Sequence, residues 1–95
     1  MKKYREVTAS YIMDQVGSIE NWKKFIELQA EYDFGGNYEV DGEEQYFAMA
    51  TDTSQRFVRA YRLEEGEDMV EGRIYNADGI WCAEPSERVT YLERI

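Results

Sequence analysis

The chain of 95 residues contains no histidine and only one cysteine, Cys82. Without histidine the commonest general base is missing, and the pairs in which histidine activates a serine or a cysteine cannot form. A single cysteine allows no disulfide within the chain, and zinc and iron–sulfur sites lack their usual ligands. We therefore predict a protein that is not an enzyme and that holds no cofactor and no metal.

Long apolar runs are also missing. No segment approaches the roughly 18–20 apolar residues that span a bilayer, and the basic amino terminus is not followed by the apolar stretch of a secretory signal. The seven glycines form neither a dinucleotide-binding nor a Walker pattern, so no nucleotide cradle is indicated. These absences predict a cytoplasmic protein that binds no membrane.

One twelve-residue segment, beginning at Asp33, partly fits a calcium-binding loop of the EF-hand kind. Asp33, Asn37 and Glu44 occupy its first, fifth and twelfth places. Gly35 offers no side-chain ligand at the third place, and Tyr38 stands at the sixth, where the sharp turn requires glycine. The segment is better interpreted as a polar loop that leads into a sheet.

Aromatic residues are plentiful. The chain is 43% hydrophobic and includes eight tyrosines, four phenylalanines and two tryptophans. This composition can bury enough surface to offset the chain entropy lost on folding. We predict one compact domain over residues 1–95, with room for a single modest core.

The first third of the chain has helical patterning. Thr8 is a candidate N-cap, and Gly17 can end that short helix in the left-handed conformation. Ser18 is a second candidate N-cap, and apolar residues at spacings of three and four predict a helix over residues 18–32. The glycine pair at 35–36 is predicted to end this helix.

Short segments rich in aromatic and β-branched residues follow. Residues 45–51 and 55–63 flank a turn composition and predict a hairpin, as do residues 69–75 and 80–84 around a turn that ends in glycine. Residues 87–95 fit either a helix or a strand. The predicted fold is α+β, with one or two N-terminal helices packed on a four- to five-stranded antiparallel sheet of hairpins.

Two further features have plain structural interpretations. Cys82 lies in a predicted strand, where a lone cysteine is usually a small core hydrophobe. Arg56, Arg59 and Arg62 are predicted to pair with neighbouring carboxylates, and a strip that contacts phosphate is the alternative.

Negative charge is concentrated in two stretches without any lysine or arginine. The chain has 20 acidic and 11 basic residues, a formal net charge of −9. We call residues 27–52 the first acidic block and residues 64–71 the second. Their acidic residues are Glu27, Glu31, Asp33, Glu39, Asp41, Glu43, Glu44 and Asp52 in the first, and Glu64, Glu65, Glu67, Asp68 and Glu71 in the second.

This clustering has two interpretations. A solvated surface that promotes solubility is one, although solubility alone is served better by interspersed charges. The other is a basic partner, since concentrated carboxylates attract cationic surfaces at long range. Glu27 and Glu31, four residues apart on the predicted helix, repel each other mildly, and a cationic partner would offset that cost.

In size, charge and lack of catalytic chemistry, the chain resembles small phage-encoded inhibitors of host defence nucleases, among them anti-CRISPR and anti-restriction proteins. It is similar in the same respects to immunity proteins that neutralise nuclease toxins. The resemblance implies a nucleic-acid mimic that binds a basic groove without binding nucleic acid itself; a non-catalytic protein–protein adaptor is the alternative. The predicted partner-binding residues are Glu27, Glu31, Asp33, Tyr38, Glu39, Asp41, Glu43, Glu44, Glu64, Glu65, Glu67 and Asp68, with Tyr32, Phe34 and Tyr46 as further aromatic contacts.

Overall fold

The computed structural model describes residues 3–28, 32–50 and 55–95, with the backbone alone for residues 32–34 and 50. Its elements run in the order β1 (Lys3–Val7), α1 (Ala9–Val16), α2 (Ile19–Leu28), β2 (Tyr32–Val40), β3 (Glu43–Ala50), β4 (Phe57–Arg62), β5 (Asp68–Val70), β6 (Arg73–Tyr75), β7 (Trp81–Ala83), a 3₁₀ turn (Pro85–Glu87) and β8 (Val89–Arg94). The prediction of an α+β chain is confirmed in this broad sense.

The two helices begin at the residues that the sequence indicates. The Thr8 hydroxyl accepts a hydrogen bond from the Tyr11 amide, and Gly17, at φ +83°, ends α1. The Ser18 hydroxyl accepts from the Asn21 amide at 3.1 Å and starts α2. Both caps satisfy backbone amides that the first helical turn leaves without a partner.

The predicted end of the second helix is wrong. α2 ends at Leu28, and Tyr32 already belongs to β2. Gly35 and Gly36 lie within that strand and do not stop a helix. The apolar spacing before the glycines suggested a longer helix. Residues 32–40 are extended instead, because they pair with β3.

The sheet prediction is also wrong in its arrangement. Five strands close into a barrel in the order β1-β2-β3-β4-β8, and β5-β6-β7 form a separate three-stranded sheet. β1 precedes the helices, pairs in parallel with β2 and pairs antiparallel with β8, which closes the barrel. Closure removes the free edges that an open antiparallel sheet would expose.

The hairpins are confirmed in part. β3 and β4 pair antiparallel, with Phe47 opposite Arg62. β6 and β7 pair around a turn in which the Asn76 side chain accepts hydrogen bonds from the Asp78 and Ile80 amides. Residues 69–75 are not one strand, because a turn at Glu71 and Gly72, both at positive φ, separates β5 from β6.

The C-terminal segment, for which the sequence left two interpretations, is the strand β8. It lies between β1 and β4 in the barrel, with Leu92 completely buried. The position between two partner strands explains why a segment whose apolar spacing also fits a helix is extended.

The barrel is covered on two sides, so its strands contribute to three apolar clusters. The interior consists of Tyr4, Val40, Phe47, Met49, Val58, Ala60 and Leu92. The helices pack outside on Phe57 and Tyr91 through Ile12, Trp22 and Phe25. The small sheet packs elsewhere on the barrel wall, through Met69, Ile74 and Ala83 against Ala48, Tyr61 and Leu63.

In the part of the chain that the structure describes, none of the helices has the length and apolar character needed to cross a membrane.

Candidate functional site: an acidic face on the barrel

The outer surface of the β2–β3 hairpin carries two acidic residues of the first block. Tyr38 and Val40 of β2, and Phe47 and Met49 of β3, point into the barrel or pack against its core. Because side chains alternate along a strand, Glu39 and Glu44 point outward. The strand register places these two residues directly opposite each other.

The hairpin that carries them closes at Asp41 and Gly42, whose φ angles are +53° and +80°. Two positive φ values in succession suit the tight turns that match strand twist. The segment interpreted as a polar loop is therefore strand, turn and strand. Among the described residues, no three carboxylate or thiol groups lie close enough together to hold a metal ion.

The second acidic block meets this hairpin. Asn37, Glu44, Tyr46, Glu65 and Gly66 line one concavity with a volume of about 460 Å³. Glu44 belongs to the first block and Glu65 to the second, so folding brings the two blocks together at this point. We refer to Glu39, Glu44 and Glu65 as the acidic face.

Asp68 fixes the small sheet against the hairpin. Its carboxylate accepts hydrogen bonds from the Gly35 amide at 3.2 Å and from the Met69 amide at 2.9 Å. The Tyr46 ring lies beside it, and partial burial, followed by the negative charge of Asp68, raises the pKa of the Tyr46 hydroxyl. These contacts hold the two blocks in one arrangement.

Gly35 permits this contact, and a substitution there provides a test of it. A Cβ at position 35 would lie 2.6 Å from the Tyr46 hydroxyl and 2.8 Å from its ring, whereas one at Gly36 would lie no closer than 3.6 Å to any atom outside its immediate chain neighbours. We expect Gly35→Ala to lower the free energy of unfolding by about 1–3 kcal/mol, the usual cost of overpacking.

Gly36→Ala is the matched control for this substitution and should change stability by less than about 1 kcal/mol, since the added methyl group meets only ordinary contacts. Urea unfolding of the two variants measures the difference. Equal stability of both variants would show that the Gly35–Tyr46 contact does not constrain the structure.

Charge compensation on the acidic face is weak. Within the described ranges, neither Glu44 nor Glu65 forms an ion pair, and both are exposed. The Lys3 ammonium lies 3.7 Å from the Glu39 carboxylate, but Lys3 is mostly exposed, and surface pairs of this kind contribute little. Like charges directly opposite on paired strands repel, and two unit charges about 4 Å apart in water do so by about 1 kcal/mol.

Glu67 differs from the other acidic residues of its block, because it is buried. Its carboxylate accepts hydrogen bonds from the Arg88 guanidinium at 2.8 and 3.2 Å, from the Glu64 amide at 2.6 Å and from the Cys82 thiol at 3.0 Å. The hydrogen bonds from Arg88 chiefly lower the pKa of Glu67 to about 2. This burial argues against the predicted contact between Glu67 and a partner.

Cys82 is not the core residue that the sequence suggested. Its side chain is exposed at the edge of the small sheet, and its thiol donates to Glu67. That hydrogen bond, together with partial desolvation, raises the pKa of the Cys82 thiol. A thiol held in its protonated form is a poor nucleophile.

The other predicted site residues lie in different places. Glu43, Asp41 and Glu64 are exposed near the acidic face, and the Asp41 carboxylate accepts a weak hydrogen bond from the Glu6 amide. Tyr38 is half-buried against Tyr4, with ring centroids 6.2 Å apart, so it is not an exposed aromatic contact. Glu27 lies on α2, in the layer that packs on β4 and β8.

Several predicted residues lie outside what the structure describes. These are Glu31 as a whole, and the side chains of Tyr32, Asp33 and Phe34.

Arg5, Arg56 and Arg62 pair with carboxylates outside the two blocks. Arg5 and Arg56 both bind the buried carboxylate of Glu93, and the Tyr11 hydroxyl lies 3.3 Å from each of its oxygens. Burial alone would raise the pKa of Glu93, but the hydrogen bonds from the two arginines outweigh it and lower the pKa. Arg62 lies 3.5 Å from Glu6. The predicted pairing of Arg56 and Arg62 is confirmed.

Comparisons with protein-family models, with curated proteins and with solved structures return no match to this chain. The site is therefore interpreted from its own geometry and charge.

Proposed function

We propose that this chain is a non-catalytic inhibitor that binds the basic nucleic-acid groove of a nuclease or CRISPR effector. In this proposal its carboxylates occupy positions where phosphates would lie. The observation that supports it best is the convergence of Glu44 and Glu65, from separate acidic blocks, on one concavity. A basic groove is the surface that such a concentration of negative charge favours.

The fold leaves two like charges opposed on neighbouring strands. Like charges directly opposite on paired strands destabilise a sheet. Glu39 and Glu44 have this arrangement, and among the described residues the exposed Lys3 is the only cation paired with either of them. Lysines and arginines in a groove would attract both carboxylates and so offset the repulsion between them. The arrangement then serves binding as well as solubility.

Tyr46 adds a second kind of contact. It lines the same concavity and is half-buried, with the hydroxyl end of its ring against Gly35 and close to Asp68. An aromatic ring beside carboxylates resembles a base beside phosphates. The aromatic side chains on which bases stack in a nucleic-acid-binding protein can stack on such a ring as well. The proposed place of action is the cytoplasm, where such nucleases meet their substrates.

The test uses a panel of purified RNA-guided nucleases, restriction enzymes and nuclease toxins. Each is assayed for cleavage of labelled DNA or RNA with increasing amounts of this protein. We expect inhibition of at least one enzyme, competitive with nucleic acid and weakened as ionic strength rises.

Two results would contradict the proposal. One is an absence of inhibition across the panel. The other is binding to a panel member that neither salt nor nucleic acid affects, which would favour the adaptor alternative.

A further inference from the structure

The small sheet and the turn before β7 expose apolar side chains. Trp81 is 53% exposed, Ile80 60% and Val70 49%. One face of this sheet, through Met69, Ile74 and Ala83, packs on the barrel. Isolated apolar side chains are common on surfaces, but an exposed tryptophan that directly follows an exposed isoleucine in the chain is the kind of residue that binding hot spots favour.

Trp81 is exposed and yet held in place. Its indole N–H donates a hydrogen bond to the Ala83 carbonyl at 3.0 Å. The strand register places Trp81 opposite Tyr75, which is half-buried. A fixed ring loses little side-chain entropy when a partner covers it, so it suits the role of an anchor.

The turn that precedes Ile80 and Trp81 lies against the rim of the acidic concavity. Gly66, which lines the concavity, lies so close to Ala77 that a Cβ on the glycine would be 3.2 Å from the Cβ of Ala77. Ala77 belongs to the turn that leads directly into Ile80 and Trp81. The turn also carries Asp78, which is exposed and adds negative charge to this part of the surface.

We propose that Ile80 and Trp81 form the apolar anchor of the interface whose charged part is the acidic face. The inference rests on the proposed function, because it takes the partner to be cationic. The occupant is then a protein surface with an apolar or aromatic pocket bordered by lysine and arginine. Asp78 and the acidic face supply the charge complementarity, and Arg73 is the one cation in the strands of this sheet.

Two cationic polymers of equal length serve as probes: poly-lysine, which offers charge alone, and a random lysine–tyrosine copolymer, which adds aromatic rings. We expect the protein to bind the copolymer more tightly by at least about fivefold, in keeping with one aromatic contact. Ile80→Ala with Trp81→Ala should abolish this preference and leave poly-lysine binding unchanged. Fluorescence anisotropy of labelled polymers at fixed ionic strength measures both.

Ile19→Ala is the matched control, since Ile19 is 65% exposed and lies at the start of α2, outside the small sheet. It should keep the preference for the copolymer. Trp81→Phe keeps a ring but removes the N–H donor, so an intermediate preference is expected from a less firmly held anchor. Thermal unfolding of each variant confirms that it is folded at the assay temperature.

Three results would overturn the inference. The first is equal binding of both polymers by the unmodified protein, and the second is an unchanged preference in the Ile80–Trp81 variant. The third is concentration-dependent self-association that this variant abolishes, since the surface would then bind a second copy. Failure of the proposed function would appear in the nuclease assay instead, so the two failures can be told apart.

Discussion

Replacing Arg88 with methionine should lower the free energy of unfolding at pH 7 by about 2–4 kcal/mol, because it leaves the buried Glu67 carboxylate without its partly exposed counterion. Arg88 supplies two of the hydrogen bonds to the Glu67 carboxylate, which is 8% exposed. Methionine keeps much of the side-chain volume but leaves the buried charge without its counterion. Urea unfolding monitored by circular dichroism measures the loss.

Two companion variants make this result specific. Arg73→Met removes an exposed arginine from the small sheet and should change stability by less than about 0.5 kcal/mol. Glu67→Gln combined with Arg88→Met should recover part of the loss, because no charge is then buried alone. A loss below about 1 kcal/mol for Arg88→Met alone would show that Glu67 is hydrated or paired elsewhere.

The same ion pair gives stability a dependence on pH. The pKa of Glu67 is lowered on folding from 4.5 to about 2, so the folded state binds its proton less readily than the unfolded state does. This stabilisation is present in full above the unfolded pKa and is lost as the pH falls from 4.5 towards 2. The stability difference between the unmodified protein and Glu67→Gln should therefore shrink across that range.

Reversing the charges of Glu44 and Glu65 together, with lysine at both positions, should weaken binding to any nuclease that the protein inhibits by at least about 100-fold. Like charges brought together at an interface cost several kcal/mol, and each tenfold loss of affinity corresponds to about 1.4 kcal/mol. Both side chains are exposed, and in the described ranges neither has an ion-pair partner. The fold should therefore tolerate both lysines.

The control is the same reversal at Asp14 of α1 and Glu20 of α2, which are both exposed. Net charge changes equally, but the two helices pack on β4 and β8 and carry none of the residues that line the concavity. A loss of affinity below about tenfold is expected, from the weaker long-range field alone. Equal losses in both variants would mean that net charge, and not the acidic face, determines binding.

Local signals in the sequence predicted some of this structure correctly. Thr8, Gly17 and Ser18 act through hydrogen bonds and dihedral angles within a few residues, so the helix starts and the end of α1 could be predicted. The β3–β4 hairpin likewise follows from adjacent segments. These features depend on neighbours in the chain.

Features that depend on distant partners could not be predicted. β1 has only one fully buried side chain, Tyr4, and is a strand because it pairs with β8 from the other end of the chain. Gly35 resembled a helix stop, whereas its role is to let the Tyr46 ring approach. In the sequence, Glu67 resembles its exposed neighbours. Its burial depends on the ion pair with Arg88, 21 residues away.

The candidate site combines residues that the sequence singled out with an arrangement that it did not predict. Clustering of charge pointed to Glu39, Glu44 and Glu65, but it gave no information on whether the blocks would meet. Their meeting depends on the packing of the small sheet against β2, through Asp68 and Gly35. The exposure of Trp81 had no signal in the sequence, since strand tryptophans are more often buried.

The ionic-strength dependence of binding to an inhibited nuclease tests the central claim most directly. The logarithm of the dissociation constant is measured against the logarithm of salt concentration for the unmodified protein and for Glu44→Gln with Glu65→Gln. We predict a steep slope for the former and a distinctly shallower one for the latter, because fewer charges then meet the groove. Identical slopes for the two proteins would contradict recognition through the acidic face.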